Sequence, residues 1–320
     1  MAVYTEVSTD EACNLLNTLG LGRLQSMEPC KGGIENTNYF VNTDQGAYVL
    51  TLFERLTAQQ LPFYLKLMKH LAKHQIPVPD PAASATGSLL YTVNGKPATV
   101  VNRLQGRSEL TPTPAHCGAV GAMLARMHLA GQDFELQQPN LRGLAWWNET
   151  VPVVLPFLHL AQNRLLQSEL AYQNHLAASS AYIALPRGPV HADLFRDNVM
   201  FELDANQTGQ TRIALTGFFD FYFAGVDTFL FDLAVCLNDW CIDLRTGRDR
   251  PDHVQAMLAA YNVVRSLTQA EHRCLHGMRR AGALRFWISR LWDFHLPREA
   301  ALLQPHDPGH FERVLRQRLD

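Results

Sequence analysis

The chain has 320 residues, enough for one large or two modest domains. Apolar residues make up 47% and charged residues 18%, below the usual quarter, which excludes a disordered chain and predicts a well-filled core. Twenty-eight Lys and Arg against 30 Asp and Glu leave a formal charge of −2, so nothing draws the chain to nucleic acid or to a membrane, and a small-molecule partner is expected. Met1 to Asp10 lack the apolar stretch of a secretory signal, and no apolar run reaches bilayer-spanning length. The six cysteines (Cys13, Cys30, Cys117, Cys236, Cys241 and Cys274) include no C-x-x-C pair and read as buried, reduced thiols of a cytoplasmic protein.

In chain order, Asn38–Asn42 and Ala47–Phe53 are β-forming runs on either side of Thr43-Asp44-Gln45-Gly46, a hairpin signal. Leu61, Leu65, Met68 and Leu71 recur at helical spacing and predict a helix over 57–74, stopped by Pro77, Pro79 and Pro81. Two further strands are expected over 89–93 and 97–104, joined by Asn94-Gly95. After Gly106 the pattern turns helical. Thr113 caps and Pro114 opens a helix that Gly131 ends, with Val120, Met123, Leu124 and Met127 on its apolar face. Helical spacing returns over 158–183, 228–242, 253–265, 270–294 and 309–318. The expectation is an α+β chain: a small antiparallel-sheet unit over 1–105 and a larger, mostly helical unit over 106–320. Ligands often bind at such a seam.

The most informative stretch is His191-Ala192-Asp193-Leu194-Phe195-Arg196-Asp197-Asn198, with Asp220 about two dozen residues on. An Asp, an Asn five residues later and a second Asp after a hairpin-length gap suit phosphoryl transfer. One carboxylate must lie near the proton of an attacking hydroxyl, while a separate amide and carboxylate hold Mg²⁺ on the ATP phosphates. The apolar runs Val199-Met200-Phe201 and Ile213-Ala214-Leu215 read as the two strands that would bring Asn198 and Asp220 together. D-x4-N alone is common by chance. The preceding His, the following strand and the later Phe219-Asp220 make the combination specific.

These motifs resemble the aminoglycoside phosphotransferase/choline kinase superfamily, whose fold is protein-kinase-like with an N-lobe that binds nucleotide and a helical C-lobe. The resemblance takes in Gly32-Gly33-Ile34-Glu35-Asn36-Thr37-Asn38-Tyr39, Leu124-Ala125-Arg126-Met127-His128, the 191–198 loop and Phe231-Asp232-Leu233-Ala234. Within the superfamily the chain looks most like the ThrB-type homoserine kinases, on 33–40, on Asn140-Leu141-Arg142-Gly143-Leu144-Ala145-Trp146-Trp147 and on Cys236-Leu237-Asn238-Asp239-Trp240-Cys241.

The resemblance implies a residue-by-residue assignment. Asp193 is the catalytic base or orienter, Asn198 and Asp220 are the Mg²⁺ ligands, and His191 braces the loop from below. Asp232 accepts backbone N–H groups of that loop. Gly32, Gly33 and Asn36 form a nucleotide loop, Thr51 takes the strand position near the phosphates, and Asn102 to Gly106, Leu104 included, make the hinge that receives adenine. The cofactors are then ATP and Mg²⁺ and the partner is L-homoserine, in a monomer or homodimer.

Four departures from the kinase pattern stand out. Thr51 occupies the usual Lys position, and the helix over 57–74 has no Glu to pair with such a Lys. Asp220 is followed by Phe-Tyr rather than Phe-Gly, and Phe195 stands where protein kinases keep a Lys. Arg196 and Arg55 are candidates for the missing positive charge. A homoserine pocket needs a cation for the carboxylate and an anion for the ammonium. Arg142 and Asp239 fit those roles, with Trp146 and Trp240 as an aromatic wall. Two other readings stay open. One is the same fold acting on another small alcohol, such as an amino alcohol, hydroxylysine or an aminoglycoside. Against the aminoglycoside, 140–150 and 236–243 hold only Glu149, Asp239 and Asp243 as acids. The other is a nucleotide-binding regulator that has lost transfer.

Overall fold

The computed structural model describes residues 5–30, 36–205, 211–296 and 306–319. The chain divides into two compact units, one running to Gln105 and taking in Gly217–Phe219, the other holding Gly106–Thr216 and continuing from Asp220.

In the first unit, helix α1 (Thr9–Leu19) starts on a reciprocal cap. Ser8 Oγ accepts from the Glu11 N–H at 3.3 Å, and Glu11 Oε2 accepts from the Ser8 N–H at 2.8 Å. Strands β1 (Leu24–Pro29), β2 (Asn36–Thr43) and β3 (Ala47–Phe53) follow, then α2 (Pro62–Lys73), β4 (Tyr91–Val93) and β5 (Lys96–Asn102). All neighbours are antiparallel, in the order β1-β2-β3-β5-β4. Along β2, Thr37, Tyr39, Val41 and Thr43 are buried and their neighbours half-exposed, the period-two pattern of a strand with one face in a core. Register carries that face across the sheet. Tyr39 pairs with Leu50 and Leu50 with Val100, and these residues pack with Ala12 and Leu16 of α1. Neither α1 nor β1 was expected from the sequence. Helix α2 begins five residues later than predicted, because Pro62 takes a first-turn position where no N–H is needed.

The second unit holds α3 (Pro114–Ala130), α4 (Leu144–Val154), α5 (Leu160–Ala177), the short α6 (Ser180–Ile183), β6 (Arg187–Val190), β7 (Val199–Ala205), β8 (Thr211–Phe218) and β9 (Gly225–Thr228). After these come α7 (Phe229–Trp240), α8 (Pro251–Val264), α9 (Gln269–His295) and α10 (Gly309–Arg316). Strand β6 pairs antiparallel with β9, and β7 lies beside β8. Helix α3 starts at Pro114 as expected, its Thr113 cap bonded to His116. It meets α8 closely, since a Cβ on Gly121 would come within 2.3 Å of the Met257 carbonyl oxygen. Every residue of α7 is buried. Polar groups on such a helix persist only when bonded, and its acids are what hold the candidate site.

Candidate active site

The loop from His191 to Asn198 is bound to one face of α7 at successive turns. Asp232 accepts the His191 N–H through Oδ2 and the Ala192 N–H through Oδ1, each at 2.8 Å. About two turns along, Trp240 Nε1 donates to the Leu194 carbonyl at 3.0 Å. Asp239 Oδ2 accepts from the Arg196 N–H at 2.9 Å and from Arg196 Nε at 3.1 Å. Residues 232, 239 and 240 lie about two turns apart, so a rigid helix sets the spacing of the loop. Ala192 sits at φ +64°, left-handed backbone that an L residue adopts at a cost of about 1 kcal/mol. The two bonds to Asp232 hold it there.

Below Asp232 the network continues. His128 Nε2 lies 3.1 Å from Asp232 Oδ2 and His128 Nδ1 lies 2.7 Å from the Tyr261 hydroxyl. Burial opposes charge on Asp232, but His128, His191 and the loop N–H group outweigh it and hold the carboxyl below its usual range. Burial also lowers the His128 imidazole. The network is therefore an anionic Asp232 bonded to a neutral His128. His191, fully buried, accepts the Asp193 N–H on Nδ1 at 3.3 Å and rests on the Phe221 ring, with centroids 4.5 Å apart. It positions the loop.

Of the three expected transfer residues, the structure joins two directly: Asn198 Nδ2 donates to the Asp193 carbonyl at 2.9 Å. That bond orients the Asn198 amide. Asp220 stands at φ +66°, ψ +59°, at the head of the turn Phe221–Phe223. A non-glycine residue held left-handed marks a position fixed by its surroundings, and Asp tolerates it better than most. An amide oxygen and a carboxylate are hard donors of the kind that Mg²⁺ takes.

Three expectations need correction. Arg196 cannot serve as a mobile phosphate-binding cation. It is 8% exposed, Nη1 donates to the Leu110 carbonyl at 2.9 Å, Nη2 donates to the Asp239 carbonyl, and Nε takes the Asp239 carboxylate. The same pairing occupies Asp239, expected to meet a substrate ammonium. Trp240, expected in an aromatic wall, is fully buried beneath the loop, its indole N–H donating to the Leu194 carbonyl. Arg142 and Trp146 do come together, the guanidinium 4.5 Å from the ring centre, and Trp147 Nε1 donates to the Arg142 carbonyl at 2.6 Å.

In the first unit, Gly32 and Gly33 lie outside the described residues. Asn36 opens β2. Thr51 is buried, its hydroxyl donating to Asn38 Oδ1 at 2.7 Å, so a neutral pair stands at the position where a Lys was looked for. The Asn102 amide oxygen accepts the Asp80 N–H at 2.5 Å, and a Cβ on Gly217 would meet Leu104 Cδ1 at 2.4 Å.

Sequence reading missed Arg285. It lies on α9, 3% exposed, and burial lowers its guanidinium to about 10, with the Asp193 carboxylate opposing that shift. No spacing signal distinguishes a buried Arg on a long helix from a solvated one.

A buried acid-anchored loop presenting Asp193 and Asn198, followed by Asp220 in a strained turn, defines a protein-kinase-like phosphotransferase. The comparisons agree. Residues 26–275 match the model of the phosphotransferase enzyme family. A homoserine kinase of Polaromonas naphthalenivorans is 67% identical over 319 residues, covering 100% of this chain and 98% of the relative. One of Paraburkholderia xenovorans is 56% identical, covering 100% and 96%. Solved folds resemble it at low identity. A putative aminoglycoside phosphotransferase from Ralstonia eutropha superposes with a TM-score of 0.68 at 15% identity, covering 98% of this chain and 96% of the other. An amicoumacin kinase in complex with AMP-PNP and Ca²⁺ gives 0.67 at 16%, covering 98% and 92%. The chain belongs to the phosphotransferase enzyme family and, within it, to the homoserine kinases.

Proposed function

We propose that this ATP-dependent kinase transfers the γ-phosphoryl group of ATP to the side-chain hydroxyl of L-homoserine, giving O-phosphohomoserine and ADP. The observation that carries the reading is full-length identity of 67% to a homoserine kinase, in a chain whose second unit keeps Asp193, Asn198 and Asp220 on an anchored loop and turn. In this reading Asp193 takes the hydroxyl proton as the oxygen attacks phosphorus, and the β–γ bridging oxygen leaves with ADP. Asn198 Oδ1 and the Asp220 carboxylate would hold Mg²⁺, which neutralises charge on the transferring phosphoryl. His191 and Asp232 do not touch substrate. They set the depth and direction of Asp193 through the loop backbone. Asn36, Asn102 and Leu104 serve the nucleotide, and Thr51 supports that site through its bond to Asn38 rather than by touching the nucleotide. The free thiols of all six cysteines suit a cytoplasmic enzyme, and among the described residues no helix is long and apolar enough to cross a membrane.

ADP release measured over a panel of amino acids and amino alcohols tests the reading. Homoserine should give the highest kcat/KM. Asp193→Ala should lower kcat by at least about 1,000-fold with nucleotide affinity changed little, since general-base and orientation effects are of that order. Faster turnover of another alcohol, or an undiminished kcat in Asp193→Ala, would overturn it.

A further inference from the structure

Arg285 sits on α9 with the face of its guanidinium covered. Its Cζ lies 3.9 Å from the centre of the Phe286 ring and 5.1 Å from that of Phe223. Nη1 donates to Ser289 Oγ at 3.0 Å. Nε and Nη2 have no hydrogen-bond partner among the described residues, although the side chain is 97% buried. Those two nitrogens form one edge of the planar group, with N–H bonds pointing the same way. A cation buried with such an edge unpaired is costly, and each such case in a folded protein calls for an explanation. The shape that completes it is a two-oxygen anion held by parallel bonds.

Both rings tie Arg285 to the transfer machinery. Phe223 ends the turn that Asp220 heads. Phe286 packs 4.5 Å from Phe195, which stands two residues after Asp193. The charges concur: among anionic groups the Asp193 carboxylate acts most strongly on Arg285, and Arg142 reinforces the positive field. Arg142, the cation first expected to meet the substrate, stacks its face on Trp146. Homoserine carries its carboxylate a short carbon chain away from the hydroxyl that Asp193 must reach. An anion site beside Asp193 but distinct from the metal ligands is where that carboxylate has to go.

We propose that Arg285 receives the α-carboxylate of the acceptor amino acid through its Nε/Nη2 edge and so selects an amino acid over an amino alcohol. The proposal rests on the reading of the chain as a homoserine kinase. The aromatic faces exclude water from the guanidinium while its Nε/Nη2 edge stays buried and unpaired, so the bond to the carboxylate forms where the dielectric is low. A substrate without the carboxylate would leave the edge unpaired, and sites built around a buried polar group reject such analogues strongly.

The test compares L-homoserine with 3-amino-1-propanol, the same molecule without its carboxylate, in the full-length enzyme and in Arg285→Met. The expected result is a loss of at least about 100-fold in kcat/KM for homoserine and a collapse of the preference over 3-amino-1-propanol by a similar factor. KM for ATP should stay within about twofold, and Tm should hold or rise because a buried unpaired cation has gone. Equal losses on both acceptors, or a raised KM for ATP, would overturn the proposal and assign Arg285 to the phosphoryl group or to the scaffold. Should Arg285→Met fail to fold, Arg285→Lys keeps the charge but loses the edge. Unchanged discrimination there is equally fatal. A wild-type enzyme that turns over 3-amino-1-propanol as well as homoserine would instead remove the functional reading, before any substitution is made.

Discussion

The two units hold their functional positions by different physics. In the second, the loop carrying Asp193 is tied to α7 by charged groups with almost no water around them: Asp232 on the backbone of His191 and Ala192, Asp239 on Arg196. In the first, the position where a Lys was looked for belongs to Thr51, bonded to Asn38 on the sheet face opposite the α1 core. One region uses buried charge to enforce a strained backbone. The other uses ordinary strand pairing and a neutral hydrogen bond. Buried ionic groups are sensitive to removal of one partner because the other is left stranded, whereas a neutral hydrogen-bonded pair gives up less. The contrast therefore predicts where substitutions hurt.

The largest effect should come from Asp232→Asn. The change keeps size and shape but places an NH₂ group against one of the loop N–H donors, and it removes the charge that His128 and the two amides satisfy. We expect a loss of about 3 kcal/mol in stability by urea unfolding. A fall in kcat well beyond the fraction unfolded should accompany it, because Ala192 loses the bonds that hold φ at +64°. A variant with full activity and unchanged midpoint would show that the loop is held by its own packing and would remove the contrast between the units.

Thr51→Val is the corresponding change in the first unit. It preserves shape and the β-branched preference of the strand and deletes a single neutral hydrogen bond. The expected cost is about 1 kcal/mol, or a Tm lower by about 2–4 °C, with kcat and KM for ATP within about twofold. A tenfold rise in KM for ATP would mean that the hydroxyl itself meets the nucleotide, and Thr51 would then stand beside the charged groups rather than against them.

How much of this could be read from residues alone follows the same division. The Asp193–Asn198–Asp220 pattern was legible because the chemistry dictates its spacing, and the α3 start because Thr113-Pro114 is a local signal. The Ser8–Glu11 cap was equally local and went unread, and with it α1. Helix α4 was hidden by Pro152 inside it and by the Trp146-Trp147 pair, which reads as a motif before it reads as a helix face. The pairing of Arg196 with Asp239 spans 43 positions in sequence and depends on α7 being buried on every side. Before folding, each of the two is a plausible ligand-binding residue. Afterwards each satisfies the other. Arg285 shows the converse: a residue that looks like a solvated helix position becomes notable only once the Phe221–Phe223 turn packs over it.

The smallest effect concerns acid. His310, next to Phe311 in α10, is pushed down to about 4, first by burial and then by Arg290 of α9 and Arg313 of its own helix, with the Asp239 carboxylate of α7 pulling the other way. The folded protein thus keeps this imidazole neutral where an unfolded chain would protonate it near pH 6.5. Because the unfolded state binds the extra proton, stability from this group is complete above about pH 6.5 and drains away as pH falls toward about 4. The fully buried His128 is lowered too and adds a loss of the same sign. His310→Gln should therefore flatten, without abolishing, the decline of Tm between pH 6.5 and 4.5, by about 2 °C in a pH series. If the variant follows the wild-type curve throughout, His310 meets solvent in both states, and acid sensitivity then belongs to the Asp232–His128 network alone.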